Sequence, residues 1–262
     1  MEEEQSYKAH VIVFPYPAQG HINPLLQFSK RLAFKGLKVT FAITKFVSKS
    51  MDAKPNSLQF QPISDGFDDG GFEHAQSIHD YLTRFKEVGS QTLAKLINKM
   101  DSSGQPVSCL IYDSFFPWAL DVAKQLGIVG VPLFTQMCAT NNIYYHLHQG
   151  LLTLPLLDPA VSIPGLPPLD IKDMPSYISA PGLYPAYYAM ILGQFSNLDK
   201  VDCILVNTFN KLEEEVVEWM AKRLPLKAIG PTIPSIYLDK RVEDDKDYGL
   251  NLYKPDNGAC IN

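Results

Sequence analysis

The chain has 262 residues, 46% of them hydrophobic and 19% charged, with a formal net charge of -5. That is the balance of a globular protein long enough to bury one large core or two small ones. It argues against nucleic acid as a partner, because neutralising phosphates takes clustered Lys and Arg and the sequence has no such cluster.

The opening MEEEQSYK carries three glutamates where a secretory leader would carry positive charge. The apolar run that follows is too short to span a bilayer, so a cytoplasmic protein with no membrane partner is expected. Ala9 to Phe14 reads as a buried strand. Pro24 to Lys35 reads as a helix with Asn23 as N-cap, Pro24 in the first turn and Gly36 as the stop. Strands follow at Leu37 to Thr44 and Leu58 to Ile63. A long helical region runs from Ala75 to Met100, with a possible interruption at Gly89. The run Val107 to Tyr112 ends at Asp113. A helix over Phe116 to Leu126 turns Trp118, Ala119, Val122 and Ala123 inward, and Ile128 to Phe134 is the next strand. From Thr153 to Pro185 the period is lost and prolines are dense, a stretch long enough to form a wall or lid over a pocket. Alternation resumes with a helix (Ala186 to Leu198), a strand (Val201 to Val206), a helix (Lys211 to Arg223) and a short strand (Leu226 to Ile229).

Parallel strands need crossover connections, so this alternation predicts an α/β fold: a doubly wound, Rossmann-like parallel sheet. In such sheets ligands bind outside the carboxyl ends of the strands. His21, within PYPAQGHINP, follows the first strand and Asp113 ends a later one, so both are expected in one crevice. A neutral imidazole can take a proton from a nucleophile while a carboxylate on its other nitrogen fixes the tautomer. Each residue also has a plainer reading: His21 as a packed side chain, Asp113 as a helix cap. No G-x-S-x-G elbow occurs, which places the nucleophile on a bound substrate rather than on a serine.

Other features carry less. Asp65 to Glu73 (DGFDDGGFE) has the composition of a calcium loop without its spacing. His146 and His148 are two apart and point to different faces of a helix. Cys109, Cys138, Cys203 and Cys260 form no C-x-x-C pair and read as reduced thiols, so no metal site is expected. No G-x-G-x-x-G or P-loop is present. Tyr184, Tyr187 and Tyr188 are read as lining a pocket, with core packing as the alternative.

The segments PYPAQGHINPLLQFSKRLAFKG, ISDGFDDGG, VSCLIYDSFFPWALDVAKQLG, PLFTQ, GQFSNLDKVDCILVNTF and IGPTIPSIYLDKR together resemble the N-terminal half of a plant family-1 UDP-glycosyltransferase. The likeness runs from about Ala9 to the end and is greatest to the branch that contains salicylate and other carboxylic-acid glucosyltransferases. It implies the N-terminal half of a two-domain glycosyltransferase-B-type fold, with residues 1–239 binding the acceptor. Residues 240–262 would begin an interdomain linker, poorly anchored, and a C-terminal UDP-sugar domain would be absent. It further implies that His21 is general base, that Asp113 orients it, and that Thr135 contacts the donor. Gln19, Gly20, Gln136 and Tyr184 would line the acceptor side. UDP-glucose would be a co-substrate, with no cofactor, a small phenolic or carboxylic acid the acceptor, and the product formed with inversion. The 262 residues alone are expected to be inactive. The alternative is a truncated, non-catalytic small-molecule-binding module.

Overall fold

The computed structural model describes residues 7–248 except 52–54, 56, 159, 181 and 244. In chain order the elements are β1 (His10–Phe14), α1 (Gln19–Phe34), β2 (Lys38–Thr44), α2 (Lys45–Lys49), β3 (Gln59–Ile63), α3 (Ile78–Ser102), β4 (Cys109–Asp113), α4 (Trp118–Gln125), β5 (Val129–Phe134) and α5 (Cys138–His148). They continue with a two-residue pair β6 (Ala160–Val161) and β7 (Leu169–Asp170), then α6 (Ser176–Ser179), α7 (Pro185–Gly193), β8 (Ile204–Val206), α8 (Asn210–Ala221) and β9 (Leu226–Ala228).

Seven strands form one parallel sheet in the order β3-β2-β1-β4-β5-β8-β9, and β6 pairs β7 antiparallel beside it. Helices cover both faces, so the central strands are apolar on both sides rather than alternating. HVIVF of β1 is buried at every position. It runs between β2 and β4, with Val11 opposite Val39 on one side and Cys109 on the other. The chain first builds outward to β3 and then crosses back to β4, which makes the β1/β4 boundary the switch point where a crevice opens. On one face Ile22, Leu25 and Leu26 of α1 pack on Val13 and Phe41. The other face holds an aromatic cluster in which Phe14 stacks on Phe116 at 4.9 Å and Phe85 meets Phe116 edge-on at 4.7 Å. Burying each such ring stabilises by about 1.5–3 kcal/mol.

The doubly wound sheet is as expected, and several boundaries are not. Helix α1 starts at Gln19, with Ala18 rather than Asn23 at its cap, because the N–H groups of His21 and Ile22 both donate to Ala18 O at 2.9 Å. Pro24 lies inside the helix and only removes the bond to the Gly20 carbonyl, which is at the exposed end. Gly89 does not interrupt α3. A Cβ there would sit 2.6 Å from the ring of Phe85, one turn earlier in α3, and 3.3 Å from Trp118, so the glycine makes room for these two rings against the helix. The proline-rich stretch is docked as well: Ile163, Met174 and Ile178 are buried, and Asn142 of α5 donates to Pro164 O at 2.8 Å. Gly165, at φ +80°, lies where a Cβ would come within 2.9 Å of the α8 backbone.

The expectation of poor anchoring fails at Asp245 and Asp247, which are tied to α1. Asp245 is buried and accepts from Lys30 Nζ at 2.6 Å and from Ser235 N at 2.6 Å. Arg31 donates to both oxygens of Asp239 at 2.9 and 3.2 Å, and with the Ser235 hydroxyl it holds that carboxyl well below the usual range. Gln27 donates to Asp247 O at 3.0 Å. Part of the segment read as a poorly anchored linker is therefore clasped along α1; residues 249–262, Cys260 among them, lie outside the described residues. Among the described residues no helix is long and apolar enough to cross a membrane.

Removing one partner of a buried ion pair leaves the other charge uncompensated, so Asp245→Ala should cost about 3–5 kcal/mol in denaturant unfolding, whereas Lys30→Met with Asp245→Val should restore most of it. His10 is a second test. Its ring bonds Gln105 O at 3.0 Å and Thr40 Oγ1 at 2.8 Å, and burial lowers its pKa from 6.5. The unfolded chain then takes up the proton first, so stability should fall as pH drops below about 6.5. His10→Gln should flatten that fall in unfolding measurements across pH 7 to 5.

Candidate active site

The carboxyl ends of β1, β4 and β5 deliver three side chains to the crevice. His21 is in the first turn of α1, Asp113 is the last residue of β4, and Thr135 directly follows β5. His21 Nδ1 lies 2.7 Å from Asp113 Oδ2. The Asp113 side chain is 0% exposed and that of His21 16%. A buried carboxylate needs donors. Asp113 has the imidazole N–H on one oxygen and Phe115 N, at 3.1 Å, on the other. Thr135 Oγ1 stands 3.2 Å from the same Nδ1, beside the Asp113 oxygen. With Nδ1 carrying its proton toward Asp113, Nε2 is the basic atom, directed away from the carboxylate.

Aromatic rings frame the imidazole. Phe115 lies 4.6 Å from it and Tyr16 5.3 Å, centroid to centroid. Tyr187 of α7 acts on the Tyr16 hydroxyl. Burial above all, then Tyr187 and the Asp113 charge, push its pKa above the ordinary tyrosine value. Tyr16 is therefore a neutral phenol at ordinary pH. Tyr187 touches Tyr184 edge-on at 6.3 Å, and Tyr184 touches Tyr177 at 6.4 Å, so a ladder of phenols runs from the imidazole to solvent. Behind the Phe115 ring a groove of about 440 Å³ runs between α3, α4 and α7, floored by Phe115, Phe116 and Trp118 and rimmed by His79 and Lys86. Its size is that of small-molecule sites.

Of the residues picked from the sequence, His21, Asp113 and Thr135 meet directly. Gln19 and Gly20 occupy the first two positions of α1, half-buried and exposed respectively. Gln136 follows Thr135; its carbonyl accepts from Asn141 at 3.1 Å, and its side-chain oxygen is buried without a hydrogen-bond partner among the described residues. Tyr184 stands off at the outer end of the ladder, 47% exposed, and it is Tyr187 that reaches the inner wall. Tyr16 and Phe115 were passed over although each sits within a few positions of a picked residue. Proximity to His21 and Asp113 was the available signal. In the Asp65–Glu73 loop, Lys45 pairs with Asp68 at 2.6 Å and Lys49 with Asp69 at 3.2 Å.

An imidazole backed by a buried carboxylate, in a crevice at the switch point of a parallel sheet, is chemically able to accept a proton from a small molecule. A family model described as "Glycosyltransferase, N-terminal domain" matches residues 8–63. The chain is 49% identical over 259 residues to UDP-glycosyltransferase 74F2 of Arabidopsis thaliana, covering 97% of this chain and 56% of that protein. It is 44% identical to the flavonol 7-O-beta-glucosyltransferase UGT74F1 of the same plant, covering 95% and 55%. The crystal structure of Os79 from O. sativa in complex with UDP superposes with a TM-score of 0.86 at 34% identity, over 93% of this chain and 56% of that one. The chain is thus similar to the N-terminal half of plant UDP-glycosyltransferases and spans about half the length of the relatives it matches.

Proposed function

We propose that this chain is the acceptor-binding half of a UDP-glucosyltransferase that transfers glucose to a small phenolic or carboxylic-acid acceptor with inversion. The observation that carries the reading is the 2.7 Å bond between His21 Nδ1 and the buried Asp113. An acceptor hydroxyl set against Nε2 passes its proton to the imidazole as its oxygen attacks the anomeric carbon and UDP departs. Asp113 stabilises the imidazolium so formed and keeps the ring in the useful tautomer. Tyr16, Phe115 and the groove beyond them supply aromatic faces for a planar acceptor. The unpartnered side-chain oxygen of Gln136 is suited to accept from a second acceptor hydroxyl. Thr135, beside the imidazole at the crevice, is placed to meet the donor sugar. The donor's nucleotide would be held by the part of the relatives' length that this chain does not span.

The two acceptor classes make different demands. A carboxylic acid, with a pKa near 4 by analogy with Asp and Glu, is already ionised at neutral pH and needs no base, whereas a phenol must lose its proton. For the chain fused to the C-terminal half of Arabidopsis UDP-glycosyltransferase 74F2, His21→Ala should lower glucose transfer to quercetin by about 10²–10⁴. Glucose-ester formation on salicylate should fall far less in the same assay. Equal losses for both products would rule out His21 as the base.

A further inference from the structure

We propose that Glu213, on α8, is a positioning residue for the catalytic imidazole, acting through the Thr135 loop. Helix α5 begins at Cys138, and its cap residue Met137 offers no side-chain bond. The first two N–H groups of α5 are instead taken by Glu213, 75 positions further along the chain: Cys138 N donates to Oε2 at 2.8 Å and Ala139 N to Oε1 at 2.7 Å. The Thr208 hydroxyl donates to the same Oε2. Helix α8 is kinked at Glu213, where φ is -137° and ψ 42°, and the side chain is buried.

A Ser, Thr or Asp at position 137 would cap α5 locally without burying a charge. The distant carboxylate does something that a local cap cannot: it ties the start of α5 to α8. Only Thr135, Gln136 and Met137 separate β5 from α5, so holding both ends of this link fixes Thr135. The β5 end is held by Asn207 N on Phe134 O at 2.9 Å, the middle by Asn141 Nδ2 on Gln136 O at 3.1 Å, and the α5 end by Glu213. Thr135 Oγ1 is the atom 3.2 Å from His21 Nδ1, next to Asp113. Glu213 thus sets how closely Thr135 flanks the imidazole that Asp113 orients. Its bearing on catalysis rests on His21 being the base; its bearing on the geometry does not.

The test reads the His21 Nδ1 proton by NMR in the 262-residue chain, with no sugar transfer involved, so it stands or falls apart from the proposed activity. A proton held between the imidazole and a buried carboxylate gives a downfield, slowly exchanging resonance, assigned by its loss in His21→Gln. Glu213→Gln should speed its exchange with water by about tenfold, the order expected for one net hydrogen bond. Thr135→Val should do the same, and Glu213→Gln combined with Thr135→Val should be no faster than Thr135→Val alone, the mark of a shared route. Val217→Ala, a core truncation on the same helix, should lower the melting temperature and leave the resonance in place. If Glu213→Gln does not fold, Thr208→Val, which removes one of the three bonds to the carboxylate, is judged by the same criteria. A melting temperature lowered with an unchanged resonance, or exchange effects that add in the double variant, would overturn the proposal.

Discussion

The bond between His21 and Asp113 is the constraint around which the rest of the crevice is arranged. A carboxylate at 0% exposure is costly unless its oxygens are satisfied, and here one takes the imidazole N–H and the other the Phe115 amide. The two residues are 92 positions apart, and what brings them together is the parallel pairing of β1 with β4. Anything that shifted that register would separate the pair. The aromatic cluster under Phe14 and Phe116 therefore stabilises the strand pairing on which the site depends as well as the core.

The other contacts hold the pair from further out. Tyr16 leans on His21 from the β1–α1 turn and is influenced by Tyr187 on α7, so the helix that follows the proline-rich stretch is joined to the imidazole's surroundings. The clasp of Lys30, Arg31 and Gln27 onto the 235–247 segment fixes the far side of α1, the helix whose first turn carries His21. Glu213 braces the third strand end, where Thr135 sits. Helix α1 and the β5–α5 link are thus each held at a point remote from the imidazole, and neither brace uses a residue of the pair itself.

The sheet and the pair were legible in the sequence because both have local signatures. Apolar runs such as VIVF and LIY, each followed by a helical period, specify buried parallel strands, and His21 and Asp113 stand directly at their ends. The start of α1 was not legible, since Asn23-Pro24 is a strong local start signal and the Ala18 carbonyl, by accepting two bonds, extends the helix upstream of it. The role of Glu213 was invisible for a different reason, and of the three tyrosines read as pocket lining the sequence did not single out Tyr187. Their partners lie far along the chain, and a glutamate on an amphipathic helix looks the same whether it faces water or a distant backbone. Asp245 was misread on the same ground, as part of a poorly anchored linker, because its partner Lys30 lies 215 positions away.

The central claim is that these residues form the acceptor side of a glucosyl-transfer site. Calorimetric titration of the 262-residue chain with quercetin and, separately, with UDP-glucose tests it most directly. The account predicts saturable binding of quercetin that Phe115→Ala weakens, and no measurable heat from UDP-glucose. Saturable binding of UDP-glucose with none of quercetin would contradict it.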